Sequence, residues 1–119
     1  MRTVFVQVEN LDTGLERFKR AWETGEFQGE YVTFESMEGL MRTLTPARWQ
    51  LLHRLQTAGP MNLQMLARTL QQDVKEVYGD VAALKELGLI EDTENKAIWV
   101  PYDEIRLELS VQWAVALMS

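Results

Sequence analysis

The chain has 119 residues, of which 46% are apolar and 25% charged, and its formal net charge is −6. This composition is typical of a globular protein with one core, and the acidic balance excludes a basic coat that would bind any nucleic acid. The absence of cysteine excludes disulfides and thiolate metal sites, and a single histidine excludes a cluster of metal-binding histidines. With no signal-peptide pattern and no apolar run of about twenty residues, we expect a cytoplasmic protein outside the membrane.

The first 45 residues predict the order β-α-β-α. Val4, Val6 and Val8 alternate with other side chains, which is the period of a strand. Thr13 and Glu16 have capping-box spacing and predict a helix that ends at Gly25. The β-forming run 31–34 predicts a second strand, and Ser36 is a predicted N-cap for a second helix.

Residues 46–90 predict three more helices, each preceded by a capping side chain. The caps are Thr45, which Pro46 follows, then Asn62 and Asp73. Apolar residues recur at helical spacing behind each cap, and they predict the buried faces: Trp49, Leu52 and Leu55, then Leu63, Leu66, Ala67 and Leu70, then Val74, Val77, Val81, Leu84 and Leu87.

The remaining residues predict a hairpin and one last strand. Leu89 and Ile90 start the hairpin, residues 94–96 form its turn, and residues 97–100 return. After Pro101, apolar residues alternate with polar ones from Ile105 to Trp113, which predicts a regular strand.

Three helices followed by a two-stranded hairpin is the element order of a winged helix-turn-helix. We therefore predict an α+β protein in three segments: a β-α-β-α extension (1–45), a winged helix-turn-helix (46–100) and a C-terminal strand with an apolar tail (101–119). The small residue Ala67 suits the close crossing of the second and third helices, and the short turn at 71–73 suits the motif. A winged helix used only for protein contacts remains the alternative at this point.

If the motif binds DNA, its third helix enters the major groove with the side opposite its apolar residues. The candidate DNA-binding residues on this helix, the turn before it, the second helix and the hairpin are Arg68, Gln72, Lys75, Glu76, Tyr78, Gly79, Asn95 and Lys96. Lys75, in the first helical turn, is placed for a phosphate or a guanine. Tyr78 either contacts DNA or is a half-buried helix residue. Asp80 could form an ion pair with Lys75 or Arg68, or its carboxylate could be solvated. We favour the solvated carboxylate.

Charge is distributed unevenly along the chain. Residues 46–90 carry five Lys and Arg against four Asp and Glu, a net +1, which leaves −7 for the rest of a chain whose total is −6. So few cations give weak binding per subunit, and a two-fold dimer that reads two half-sites would compensate.

The terminal strands are the predicted means of dimerisation. We expect them to join in one sheet, with residues 31–34 nearby, whose apolar side chains form a dimer interface; the alternative is a sheet that closes the core of the monomer. The candidate interface residues are Val4, Val6, Ile105, Leu107, Leu109 and Trp113.

Several stretches also match the pattern of a known family: 14–18, 32–40, 44–52, 66–70, 73–90 and 100–109. They resemble small prokaryotic predicted transcriptional regulators of the MarR-like winged-helix type, some encoded beside toxin-like genes as antitoxins. The resemblance implies a dimeric DNA-binding autorepressor, and alternatively an antitoxin that neutralises a partner protein through its acidic N-terminal half. This chain departs from the family at Gly79, where a basic residue is frequent, and at Glu76, where a small polar one is.

An enzyme is not expected. The carboxylates have no distinctive spacing, no nucleophile motif accompanies them, and the glycines form no phosphate-binding loop. His53 is interpreted as a partly exposed structural histidine, and no cofactor or metal is predicted.

Overall fold

The structure, a computed structural model, describes residues 2–8 and 30–109 and shows a small α+β domain. In chain order its elements are β1 (Thr3–Val8), β2 (Glu30–Phe34), α1 (Met37–Thr43), α2 (Pro46–Ala58), α3 (Leu63–Leu70), α4 (Val74–Glu86), β3 (Glu91–Asp92), β4 (Ile98–Trp99) and β5 (Glu104–Glu108). The α+β class predicted from the sequence is confirmed. The predicted helix between Thr13 and Gly25 and the tail around Trp113 lie outside the described residues.

Each of the four helices begins at a capping side chain that the sequence predicts. The side chains of Ser36, Thr45 and Asn62 accept hydrogen bonds from backbone N–H groups three residues later, and Asp73 accepts one from the N–H of Lys75. These bonds satisfy N–H groups that a helix leaves without an internal partner. Gly59 is the C-cap of α2 and has a positive φ of 89°, which favours glycine.

The three longer strands form one parallel sheet in the order β2-β1-β5. The prediction that the terminal strands join, with residues 31–34 beside them, is therefore confirmed. In the register of the sheet, Val6 lies between Val32 of β2 and Leu107 of β5. The second sheet is a short antiparallel hairpin of β3 and β4, and Met61 joins β4 through a further bridge to Ile98.

One core connects the sheet with the helices. Val4 and Val6 of β1 are 1% and 0% exposed within a single copy of the chain, and they belong to the same cluster of buried residues as Leu51 and Leu84. Leu51 of α2 is fully buried although the helical spacing read from the sequence did not include it, because α2 is covered on a wider face than one stripe. No helix in the described ranges has the length and apolar character needed to cross a bilayer.

Arg2 joins the start of β1 to its two neighbours. Its guanidinium makes two hydrogen bonds of 2.7 Å to the carboxylate of Glu30 and lies 4.7 Å from the ring centre of Tyr102. Its backbone N–H donates to the carboxylate of Asp103 at 2.7 Å. The hydrogen bonds from Arg2 lower the pKa of Glu30, and burial raises the pKa of Tyr102, whose hydroxyl donates to the carbonyl of Gly88.

Candidate nucleic-acid interface

A tight turn sets the position of α4 against α3. Gln71 adopts a left-handed conformation with φ of 55°, its N–H donates to the carbonyl of Arg68, and the N–H of Gln72 donates to that of Ala67. Leu66 and Ala67 of α3 are buried with the inner side of α4. The chain therefore reverses over three residues, 71–73, and the outer side of α4 is left uncovered.

The uncovered side of α4 carries the residues that the sequence predicts for it. Lys75, Glu76, Gly79 and Ala82 are all exposed, and Tyr78 is 65% exposed, which removes the half-buried alternative for this ring. Val74 was predicted to be buried and is not, since 42% of its surface is exposed. The buried stripe of α4 therefore begins one turn later, at Val77.

The N-terminus of α4 is already occupied by a carboxylate. Asp73 accepts the N–H of Lys75 at 2.7 Å, so this helix end is not an open anion site. Lys75 lies in the same first turn as Glu76 and forms no ion pair within the described residues. Any contact with phosphate here depends on side-chain ammonium and guanidinium groups more than on the helix end.

The cations in the part of the chain that the structure describes fall into two groups. Within the described ranges, Arg2, Arg42, Arg48, Lys85 and Arg106 each have a carboxylate oxygen within 4 Å. In the same ranges Arg54, Arg68, Lys75 and Lys96 are exposed and form no ion pair. All four of these lie on α2, α3, α4 or the hairpin, so the uncompensated positive charge of residues 2–8 and 30–109 is confined to these elements.

Asp80 has a partner that the sequence did not reveal. Its carboxylate lies 2.9 Å from Nε of Arg48, and the same guanidinium donates to the carbonyl of Thr43 at 2.8 Å. The predictions of a solvated Asp80, or of a pair with Lys75 or Arg68, are therefore wrong. The cause is the packing of α4 against the start of α2, which brings together two residues 32 positions apart and leaves Lys75 and Arg68 unpaired with it.

The hairpin closes a groove against the exposed side of α4. Tyr78, Ala82 and Lys85 line one side of this groove of about 360 Å³, and Asp92 and Lys96 line the other. Lys85 and Asp92 form an ion pair of 2.7 Å that fixes the hairpin to the end of α4. The structure thus brings two candidate residues, Tyr78 and Lys96, to a single groove, which the sequence did not indicate.

The tip of the hairpin is a tight turn organised by Thr93. Its hydroxyl accepts the N–H groups of Asn95 and Ala97, and its carbonyl accepts that of Lys96. Lys96 has a φ of 62°, a conformation that a side chain with a Cβ adopts at a cost. Asn95 and Lys96 are both exposed at this tip, as the hypothesis of a DNA-contacting hairpin requires.

The other candidate residues are distributed as follows. Arg68 is exposed on α3, and Gln72 is half-buried in the turn before α4. Of the candidate interface residues, Val4 and Val6 are enclosed in the core of a single copy, Ile105 is half-buried, and Leu107 and Leu109 are exposed. Trp113 lies outside the described residues. His53 is exposed on α2, and no group of acidic, histidine or cysteine residues in the described ranges is arranged to hold a metal.

Comparison with known proteins identifies one family. The model of the HVO_A0114 family matches residues 43–107, which is more than half of the chain. The match contains α2, α3, α4 and the hairpin, and therefore every candidate DNA-binding residue. No curated protein matches the chain.

Proposed function

The chain belongs to the HVO_A0114 family, and we propose that it is a DNA-binding transcriptional regulator whose residues 46–100 form a winged helix-turn-helix. The observation that carries the proposal is the position of the unpaired cations. Within the described residues, all four lie on the three helices and the hairpin, although the chain as a whole has a net charge of −6. Phosphate neutralisation by Lys and Arg supplies most of the affinity of such proteins for DNA.

In this proposal α4 enters the major groove with its exposed side. Lys75 contacts a phosphate or a guanine, Tyr78 packs on the sugar-phosphate backbone, and Lys96 at the hairpin tip binds the adjacent strand. The groove between α4 and the hairpin then straddles the backbone. The protein performs no chemistry on DNA; as a dimeric autorepressor it blocks polymerase by occupying the promoter of its own gene.

The test is the affinity for a fragment of its own promoter over a range of salt concentrations. Each phosphate contact contributes about −0.9 to the slope of log K against log salt concentration. We expect Lys75→Ala to weaken binding and to make the slope shallower by about that amount per subunit. The matched control is Arg42→Ala, because Arg42 is an exposed cation on α1 that is already paired with Glu38. A wild-type protein that fails to bind at low salt, or an unchanged slope for Lys75→Ala, would overturn the proposal.

A second candidate function is supported by the charge outside the helical segment. The residues outside 46–90 carry a net charge of −7. This acidic charge suits a basic partner protein such as a toxin, which the acidic residues would bind and neutralise. This activity can coexist with DNA binding. If the chain has this second function, a variant that combines Arg68→Ala, Lys75→Ala and Lys96→Asn should lose DNA binding and still neutralise the partner protein.

A further inference from the structure

We propose that the open edge of β5 pairs antiparallel with β5 of a second copy of the chain, in a register centred on Leu107. This inference rests on the dimer of the proposed function and adds to it the surface and the register. Within the described residues β5 is an edge strand, with β1 on one side only. The two copies would form one sheet of six strands, with the two β5 strands at its centre and the two-fold axis between them.

The backbone of β5 has the hydrogen-bonding direction that this pairing needs. The N–H of Glu104 donates to the carbonyl of Arg2 and so points towards β1. Because successive residues of a strand direct their N–H and C=O groups to opposite sides, those of Ile105 and Leu107 point to the open edge. An exposed row of this kind is a template for pairing with another strand.

The apolar side chains of β5 are exposed where a partner would cover them. Leu107 is 46% exposed, and Leu109, which directly follows the strand, is 39% exposed. Leu107 is in register with Val6, which is fully buried. The partner's Leu107, placed beside Leu107, would extend this buried row across the two-fold axis and remove the exposed apolar surface.

The charged residues of β5 select the register. Glu104, Arg106 and Glu108 alternate with the apolar residues and are all exposed. Centring the pair on Leu107 places Arg106 opposite the partner's Glu108, twice by symmetry, and Ile105 opposite the partner's Leu109. Opposite charges on facing residues stabilise a strand pair, whereas like charges destabilise it.

The two neighbouring registers are less favourable. Centring on Arg106 places Arg106 opposite the partner's Arg106 and Glu104 opposite the partner's Glu108, so that every charged residue faces its own sign. Centring on Ile105 pairs Glu104 with the partner's Arg106 but places the exposed Leu107 opposite the partner's Asp103. The Leu107 register alone combines opposite charges with facing apolar residues.

The experiment measures mass in solution, without DNA, by light scattering during size-exclusion chromatography. We expect the wild type to be a dimer and Arg106→Glu to be shifted towards monomer, because residue 106 then faces the partner's Glu108. Arg106→Glu with Glu108→Arg restores the opposite charges and the dimer. The matched control, Arg106→Glu with Glu104→Arg, exchanges charges within β5 equally but leaves position 106 facing Glu108, so it stays monomeric. Far-UV circular dichroism of all variants checks the fold.

A cysteine scan gives an independent measure of the register, because the chain has no cysteine of its own. Facing residues of a hydrogen-bonded pair have Cα atoms about 5.5 Å apart, within disulfide range, and residues offset by two positions lie beyond about 7 Å. Oxidised Leu107→Cys should therefore form a covalent dimer and Arg106→Cys should not. A monomeric wild type, rescue by Glu104→Arg instead of Glu108→Arg, or the opposite cross-linking result would overturn the interface. Since no DNA is present, none of these results bears on promoter binding.

Discussion

Arg2 and Glu30 show how a single ion pair makes stability depend on pH. Because Arg2 lowers the pKa of Glu30 in the folded chain, the pair stabilises the fold above the ordinary carboxyl value of 4.5, and this contribution is lost as the pH falls through the lower folded value. We expect Glu30→Gln to lower the melting temperature at pH 7, and we expect this difference from the wild type to shrink as the pH falls below 4.5. Glu35→Gln, an exposed neighbour, is the control. A difference in melting temperature between wild type and Glu30→Gln that stays constant with pH would contradict the prediction.

At the same scale, the sequence predicted those contacts that are local. The caps Ser36, Thr45 and Asn62 bond to backbone groups three residues away, so residue type and position are enough to identify them. The pair of Arg48 with Asp80 spans 32 residues and depends on how two helices pack. No local pattern contains that information, and for this reason Asp80 was assigned the wrong environment.

Helix α4 contains a glycine, Gly79, whose replacement by alanine should change helix stability without creating a clash. Gly79 lies in the exposed interior of α4, and a Cβ built there meets no atom within 4 Å. Gly79→Ala should raise the free energy of unfolding by about 1 kcal/mol, because glycine in a helix loses more backbone entropy than alanine. Gly88→Ala is the opposite control: at a φ of 82° the added Cβ is strained, and stability should fall by about 1 kcal/mol. Urea unfolding measures the change in the free energy of unfolding for both variants. Changes of the same sign would contradict the prediction.

Among the elements, the order along the chain was predictable and the lengths were not. Helical spacing and caps gave α2, α3 and α4, and alternation gave β1 and β5. The hairpin strands β3 and β4 have two residues each, shorter than the sequence suggested, because the turn held by Thr93 takes up the residues between them. Val74 has the right spacing for a buried residue and is exposed, since periodicity cannot show where a neighbouring helix ends.

In the described part of the molecule the sheet and the helices share one core, so a substitution that destabilises the sheet should also destabilise the helices. Val6→Ala removes two methyl groups from a fully buried site and should lower the free energy of unfolding by about 2 kcal/mol. Amide hydrogen exchange should show this loss equally in β1 and in the central turns of α2. Val74→Ala, the same change at an exposed site, should have an effect below about 0.5 kcal/mol. Faster exchange confined to β1 would mean that sheet and helices unfold separately.

At this scale the sequence left one question open, because its answer depends on contacts between distant residues. The apolar alternation of the terminal strands indicated that they need partners, and a dimer interface was favoured over a monomer core. The structure places Val4 and Val6 in the core of one copy, as the monomer-core alternative requires, and leaves Leu107 and Leu109 exposed.

The central position of β1 in the sheet also has a consequence for synthesis on the ribosome. Thr3 is paired with Glu104, so β1 has a neighbour that is made about a hundred residues after it. The helices between them depend on closer contacts and can form while the chain is still being elongated. We therefore expect the nascent chain to carry β1 without its second neighbour until residue 108 has left the exit tunnel, which makes that strand a natural binding site for chaperones during translation.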